Sequence, residues 1–282
     1  MRRRGIIVVL VALFALALVP SSPAQAEPEL KWVPTQGLRW QYQLQGKINT
    51  KICTKVFGTP KGTPCVRPDV YVIDLYNHLG TALNTVAVDA IHTLGKKAVC
   101  YVSAGSYENW RPDASAYPAG VLAHSNGWPG ERWVDIRQID VLRPILEARA
   151  DKCVEAGFDA IDWDNVDGYT NNTGLPLTGA DQLAFNTAIA DIAHDRGLAV
   201  GLKNDLEQLA ALKDDFEFAV NEQCHQYQEC GWYDDWIAAG KPVLQIEYTG
   251  TPKKICAPAN LAGRDTIKKS LKLTAGPWVN CH

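Results

Sequence analysis

Short apolar and β-branched runs recur along the chain, and the stretches between them repeat their apolar positions at helical spacing. The runs that predict strands are 38–44, 70–76, 97–103, 159–164, 199–203, 218–223, 242–248 and 271–275. The helix period is clearest in Leu83, Val86, Ala87, Ala90, Ile91 and Leu94, which fall at i, i+3, i+4, i+7, i+8 and i+11 and stop at Gly95. Phe185, Ala188, Ile189, Ile192 and Ala193 mark a second helix closed by Gly197. A third spans 140–156 and stops at Gly157. Eight strand candidates alternating with helices over about 250 residues predict an α/β fold, a single (β/α)8 TIM barrel. The rival is a doubly wound sheet, which needs fewer strands and usually carries a Gly-rich phosphate turn. No GxGxxG or P-loop pattern occurs here.

The first 26 residues stand outside this pattern. Three arginines, a long apolar run and Ala24-Gln25-Ala26 before Glu27 have the form of a secretory signal peptide with a small-residue cleavage site. An uncleaved anchor is the competing reading. The expectation is a secreted, extracellular domain at 27–282. Without residues 1–26 the formal charge moves from −3 to −6, because three of the 28 basic residues leave and all 31 acidic ones stay. That acidic excess offers no basic stripe for nucleic acid, and no other run is long enough to span a bilayer.

All eight cysteines follow the signal, so disulfides are expected. Spacing suggests Cys53–Cys65, Cys224–Cys230 and Cys256–Cys281. Cys100 and Cys153, one in a strand and one in a helix, remain to pair by default. There is no CxxC pair or HExxH, and the six histidines are scattered, so no metal or cofactor is expected.

In such a barrel the reacting groups stand at the C-terminal strand ends. Here those ends carry Asp74 and Tyr76, Tyr101 and Ser103, Asp162 and Asp164, Lys203 and Asn204, Asn221 and Glu222, and Glu247 and Tyr248. The densest stretch is GFDAIDWDNVDGY at 157–169, with four carboxylates in nine positions. Strand alternation sets Asp162 and Asp164 on one face and Ile161 and Trp163 on the other. Asp164, later in the strand, should be exposed at the mouth. Asp162 should lie a layer deeper, bonded to a neighbour such as Lys203. The plainer reading makes both of them caps or loop carboxylates. Asp159 reads as structural, and Asp167 as a loop cap or a ligand contact.

Two carboxyl groups facing across a barrel mouth suit glycoside hydrolysis, and Asp164 with Glu222 is the pair so placed. Glu247 is a possible third member, or else a buried glutamate bonded to Tyr or Lys. Among the aromatics, Tyr169 and Tyr248 are the better candidates for stacking on a sugar. A serine triad is disfavoured, since the 103–106 stretch lacks a GxSxG elbow.

The blocks WQYQLQG (40–46), VYVIDLY (70–76), CYVSAGSYENWRPD (100–113), GFDAIDWDNVDGY (157–169), GLKN (201–204), NEQC (221–224) and IEY (246–248) resemble glycoside hydrolase family 114, the endo-α-1,4-polygalactosaminidases. The resemblance runs in order from about 40 to 250. It implies hydrolysis within α-1,4-linked galactosamine polymers, with the acidic pair on Asp164 and Glu222. It implies further that Asp74, Tyr101, Asp135, Lys203, Asn204, Glu247 and Tyr248 line the cleft. The roles assigned on this basis are Asp164 as nucleophile and Glu222 as general acid/base. A cationic polysaccharide would give the surplus carboxylates a purpose. The expected partner is that polymer alone, with no nucleic acid, no membrane after signal cleavage, and a monomeric chain. The alternatives are a non-catalytic polysaccharide-binding barrel or a glycosidase of another amino-sugar polymer. DAIDWDNV also resembles the DxxDxDxE signature of chitinase-like barrels, but Val166 stands where that signature needs glutamate.

Overall fold

The computed structural model describes residues 28–282, apart from the side chains of 259–261. The signal peptide expected at 1–26 lies outside the described residues. The strands are β1 (Trp40–Gln43), β2 (Val70–Asp74), β3 (Lys97–Ser103), β4 (Ser106–Glu108), β5 (Glu131–Trp133), β6 (Ala160–Asp164), β7 (Ala199–Lys203), β8 (Phe218–Glu222), β9 (Val243–Glu247), β10 (Asp265–Lys268) and β11 (Val279–Asn280). The helices are α1 (Thr85–Thr93), α2 (Ile139–Glu155), α3 (Gly179–His194), α4 (Leu209–Leu212), α5 (Cys224–Tyr227), α6 (Asp234–Ala238) and α7 (Pro252–Leu261). Eight strands pair in parallel in the order β1-β2-β3-β6-β7-β8-β9-β10, and β11 adds antiparallel to β10. β4 and β5 form a separate hairpin within the long loop after β3.

The sheet is curled, and two apolar layers show which way. Val70, Val72, Val99, Ala160, Ala199, Phe218, Val220, Leu244 and Ile246 form an inner cluster. Their strand neighbours Tyr71, Ile73, Cys100, Ile161, Trp163, Val200 and Leu202 pack outward on α1, α2 and α3. A one-residue slip of β6 would exchange these faces. It would move Ile161 and Trp163 off the helix layer and set two aspartates among apolar side chains. Each large apolar side chain stabilises its burial by about 1.5–3 kcal/mol, so the register is strongly fixed.

Seven of the eight predicted parallel strands form within a residue or two of the expected ends. The eighth does not. Residues 271–275 are turn, with Leu273 at φ +44°, and the strand that pairs with β9 is Asp265–Lys268. Its polar sequence hid it, because it lies at the seam facing β1. There Trp40 Nε1 donates to the Asp265 carbonyl (2.7 Å) and the Gly37 N–H to Asp265 Oδ1 (3.1 Å). No backbone ladder joins β1 to β10 among the described residues. Lys269 Nζ spans the gap instead, donating to Gln41 Oε1 (2.6 Å) and the Thr274 carbonyl (2.7 Å).

The face expected of α1 is also rotated. Val88 and Ile91 are buried, whereas Val86 and Leu94 are exposed. α3 buries Phe185, Ala188, Ile189, Ile192 and Ala193 as its pattern requires, and starts at a Thr178–Asp181 capping box. The four disulfides are Cys53–Cys65, Cys100–Cys153, Cys224–Cys230 and Cys256–Cys281. Cys100–Cys153 closes the longest loop, tying β3 to α2, and stabilises by about 4 kcal/mol in the chain-entropy account.

Gly201 leaves room for the Phe218 ring inside the curl, and a Cβ at 201 would stand 2.5 Å from that ring. Gly201→Ala should therefore cost about 1–3 kcal/mol, measured by chemical denaturation. An unchanged midpoint would mean that the inner layer has slack there.

Candidate active site

Three adjacent strands end on the residues that matter. β6, β7 and β8 finish at Asp164, Lys203 and Glu222, all on the inner face. After each of them the chain turns through left-handed backbone at Asn165 (φ 61°), Asn204 (φ 51°) or Gln223 (φ 68°). Such conformations are uncommon for side chains other than glycine, and asparagine tolerates them best. They break the strand at once and leave each functional group standing at the rim.

Lys203 Nζ links the two acids. It donates to Asp164 Oδ1 at 2.8 Å and lies 3.3 Å from Glu222 Oε2. The Lys203 side chain is 3% exposed, against 19% for Asp164 and 27% for Glu222, so the cation sits beneath both carboxylates. Tyr101 Oη donates to Asp164 Oδ2 (2.6 Å), and Tyr248 Oη donates to Glu222 Oε1. The Asn204 amide oxygen accepts from the Glu222 N–H (3.0 Å), which fixes the end of β8. The Asp164 carbonyl accepts from Ala104 N (2.9 Å) and Gly105 N (3.2 Å).

Asp162 is fully buried one layer below. Its bond comes from Tyr42 Oη (3.3 Å) rather than from Lys203, whose Nζ reaches the same hydroxyl at 3.4 Å. Asp162 and Asp164 consequently titrate in opposite directions. Burial pushes Asp162 up to about 7, despite the nearby Lys203 charge. Burial would raise Asp164 as well, but the Lys203 charge and the bonds from Lys203 and Tyr101 hold it below the usual carboxylate range. Lys203 is held well above its ordinary value: burial alone would lower it, and Asp164, Glu222 and Asp162 outweigh that.

These groups open into a cavity of about 330 Å³, lined also by Tyr42, Glu131, Asn165, Gln223, Leu271 and Leu273. On one side it meets an open hollow of about 590 Å³ that shares Gln45, Trp128 and Leu271. On the other it meets a cavity of about 370 Å³ that shares Glu222 and Gln223 and includes Asn204 and Asp167.

Not every expected residue gathers here. Glu247 lies on the outer face of β9, 1% exposed, and accepts from the His225 N–H and Gln245 Nε2, each at 2.8 Å. It belongs to the layer beneath α5 and does not line the cleft. Asp74 faces inward but is gripped by both terminal nitrogens of Arg111 at 2.7 and 2.8 Å. Asp135 is bound by Arg137 and Gln138, apart from these cavities. Tyr169 donates to Glu207 Oε2 (3.2 Å) outside the central cavity. Asp159 is held by Lys97 Nζ (2.7 Å) and His92 Nε2 (2.8 Å) just before β6, at the end of the strand away from the site. Sequence reasoning missed Tyr42, which the alternation of β1 around Trp40 could have turned inward. Glu131 was also missed. It opens β5, a strand too short for its periodicity to mark a facing direction.

The family model described as glycoside-hydrolase family GH114 matches residues 21–282. The chain belongs to that family. It is a glycoside hydrolase. Among solved structures, Aspergillus fumigatus Ega3 in complex with galactosamine is similar at 33% identity and a TM-score of 0.78, over 91% of this chain and 100% of that one. The glycoside hydrolase domain of PelA from Pseudomonas aeruginosa is similar at 16% identity and a TM-score of 0.58, over 76% and 91% of the two chains. At that identity the likeness concerns the fold alone. An uncharacterized protein of Deinococcus radiodurans is 27% identical over 258 residues, 83% of this chain and 78% of that one.

Two outcomes follow for Asp164 and the residues that surround it. Lys203→Met should move the acid limb of kcat/KM up by about 1–3 pH units, because Asp164 loses the charge that keeps it ionised. An unmoved limb would exclude Asp164 as the titrating group. Asp162 binds its proton more tightly in the folded chain than in the unfolded one, where its pKa is about 3.9. That contribution to stability is complete below about pH 4 and is lost as pH rises through about 7. Asp162→Asn should flatten part of the fall in unfolding free energy between about pH 4 and 7. An unchanged slope would remove Asp162 from the account.

Proposed function

We propose that the chain is a secreted, endo-acting hydrolase of α-1,4-linked galactosamine polymers, working by a retaining two-carboxylate mechanism. The observation that carries the reaction is the placement of Asp164 and Glu222 on either side of one buried ammonium, at the floor of a cleft open at both ends. Because both acids lie within 3.3 Å of the same nitrogen, their nearest oxygens are closer than the roughly 6.5 Å minimum of inverting enzymes. That supports attack by a carboxylate rather than by an intervening water. The choice of sugar rests on the likeness to Ega3, which was crystallised with galactosamine, and on the acidic excess of the chain.

Asp164, kept ionised, attacks the anomeric carbon while Glu222 gives its proton to the departing glycosidic oxygen. Glu222 then takes a proton from water, which attacks the same carbon and releases Asp164. Tyr101 and Lys203 hold Asp164 in position, and Tyr248 does the same for Glu222. We read the scaffold as a single (β/α)8 barrel, residues 27–282, whose β1–β10 seam closes through side chains. Secretion is supported by the leader-like segment at 1–26 together with four disulfides. Internal cleavage is supported by the two open ends of the cleft.

Incubating the mature chain with a deacetylated α-1,4-galactosamine polymer should generate new reducing ends. Asp164→Asn should reduce the rate by roughly 10³-fold or more, and Glu222→Gln by roughly 10²–10⁴-fold. Binding without new ends would make the chain a lectin, and near-normal turnover in either variant would release that residue from its role.

A further inference from the structure

Lys269 follows β10 at the seam and is 2% exposed. Its N–H donates to the Glu247 carbonyl (3.0 Å), which pins the residue to the end of β9. The side chain then folds back over the segment that comes next. Nζ donates to the Thr274 carbonyl (2.7 Å), the Ala275 carbonyl (3.2 Å) and Gln41 Oε1 (2.6 Å), and Gln41 Nε2 donates to the same Ala275 carbonyl (2.9 Å). One ammonium thus closes a ring of chain from 269 to 275. Within that ring stand Leu271 and Leu273, which line the cavity of Asp164 and Glu222. Leu273 has left-handed backbone (φ +44°), a conformation that leucine keeps only where its surroundings hold it.

Three acceptors around one nitrogen require three protons. An ammonium has three, whereas a neutral amine has two and turns a lone pair toward the remaining oxygen. All three acceptors here are uncharged. The titratable groups on the surrounding elements are engaged elsewhere: Tyr42 of β1 with Asp162, Tyr248 beyond β9 with Glu222, Glu247 with the His225 N–H and Gln245, and Asp265 of β10 with the Gly37 N–H. Lys268 donates to the Tyr248 carbonyl, and Lys272 is exposed. No carboxylate therefore offsets the burial of this cation, which lowers it from 10.5 to about 7. Lys203, equally buried but set against carboxylates, is shifted the other way.

We propose that Lys269 is a positioning residue for the hydrolase: its ammonium sets the Leu271–Leu273 wall of the cleft, and loss of one proton there releases the wall and weakens substrate binding while the acid pair is unchanged. The inference rests on the reading of the Asp164–Glu222 cavity as the substrate cleft, whichever amino sugar fills it.

The test uses the full mature chain, isotope-labelled at lysine and leucine, with a galactosamine polymer as substrate. In NMR spectra the Lys269 side-chain signal should titrate with a midpoint of about 7, and the Leu273 amide signal should shift with the same midpoint. Lys269→Met should raise KM roughly threefold to tenfold at about pH 6 while kcat changes less than about twofold. At about pH 8.5, where the unmodified chain has lost the proton as well, the KM difference should shrink to about twofold or less. Taking the ratio to the unmodified chain at each pH removes the titration of the substrate's own amines. A KM ratio equal at both pH values, a Lys269 signal that stays constant up to about pH 9, or a Leu273 amide that does not follow it overturns the proposal. Should Lys269→Met fail to fold, the two titrations of the unmodified chain decide. If the unmodified chain leaves the polymer intact, the substrate reading fails by itself, and the same two titrations still show whether the proton on Lys269 sets the wall.

Discussion

One buried ammonium, Lys203 Nζ, makes the concentration of negative charge at the rim tolerable. Three acidic side chains approach it from β6 and β8, and two of them are within bonding or ion-pair distance. Removing one partner of a buried pair costs about 3–5 kcal/mol, since the other charge is then stranded. Lys203 therefore couples the fold to the chemistry. It keeps Asp164 ionised while Asp162, a layer deeper and without a direct bond to the cation, keeps its proton up to about 7. Two aspartates two residues apart on the same face thus differ in charge because of depth and of the bonds that Lys203 and Tyr101 give to Asp164.

Much of this was legible in the chain. Alternation along 159–164 is enough to put Asp162 and Asp164 inward, since the opposite choice would strip Trp163 and Ile161 of the helix layer. Phe185 to Ala193 marks α3 for the same reason. The β10 strand was not legible, because its neighbour at the seam demands polar side chains, and Asp265, Thr266 and Lys268 look like loop. Leu271 and Leu273, which imitate a strand, are instead walls of the cleft.

The site divides similarly. Asp164, Lys203 and Glu222 could be read from their place at strand ends. Glu247 sits at a strand end too, but one position from Tyr248, and that single step of parity sends it to the opposite side of the sheet. Asp74 and Asp135 are polar and near the mouth in sequence terms, yet arginines from adjoining loops claim them. Which charge a loop brings back to a strand end is a tertiary fact, and no local pattern encodes it.

The seam between β1 and β10 leaves one cleft wall unusually independent. Residues 270–275 hang from the sheet by a lysine and a few backbone bonds, such as Leu44 N to the Leu273 carbonyl (3.0 Å), rather than by a cooperative ladder. Insertions or replacements there would leave every strand register intact. Selection can reshape the groove along that margin, and with it the polymers the groove admits, while the ionic centre stays as it is.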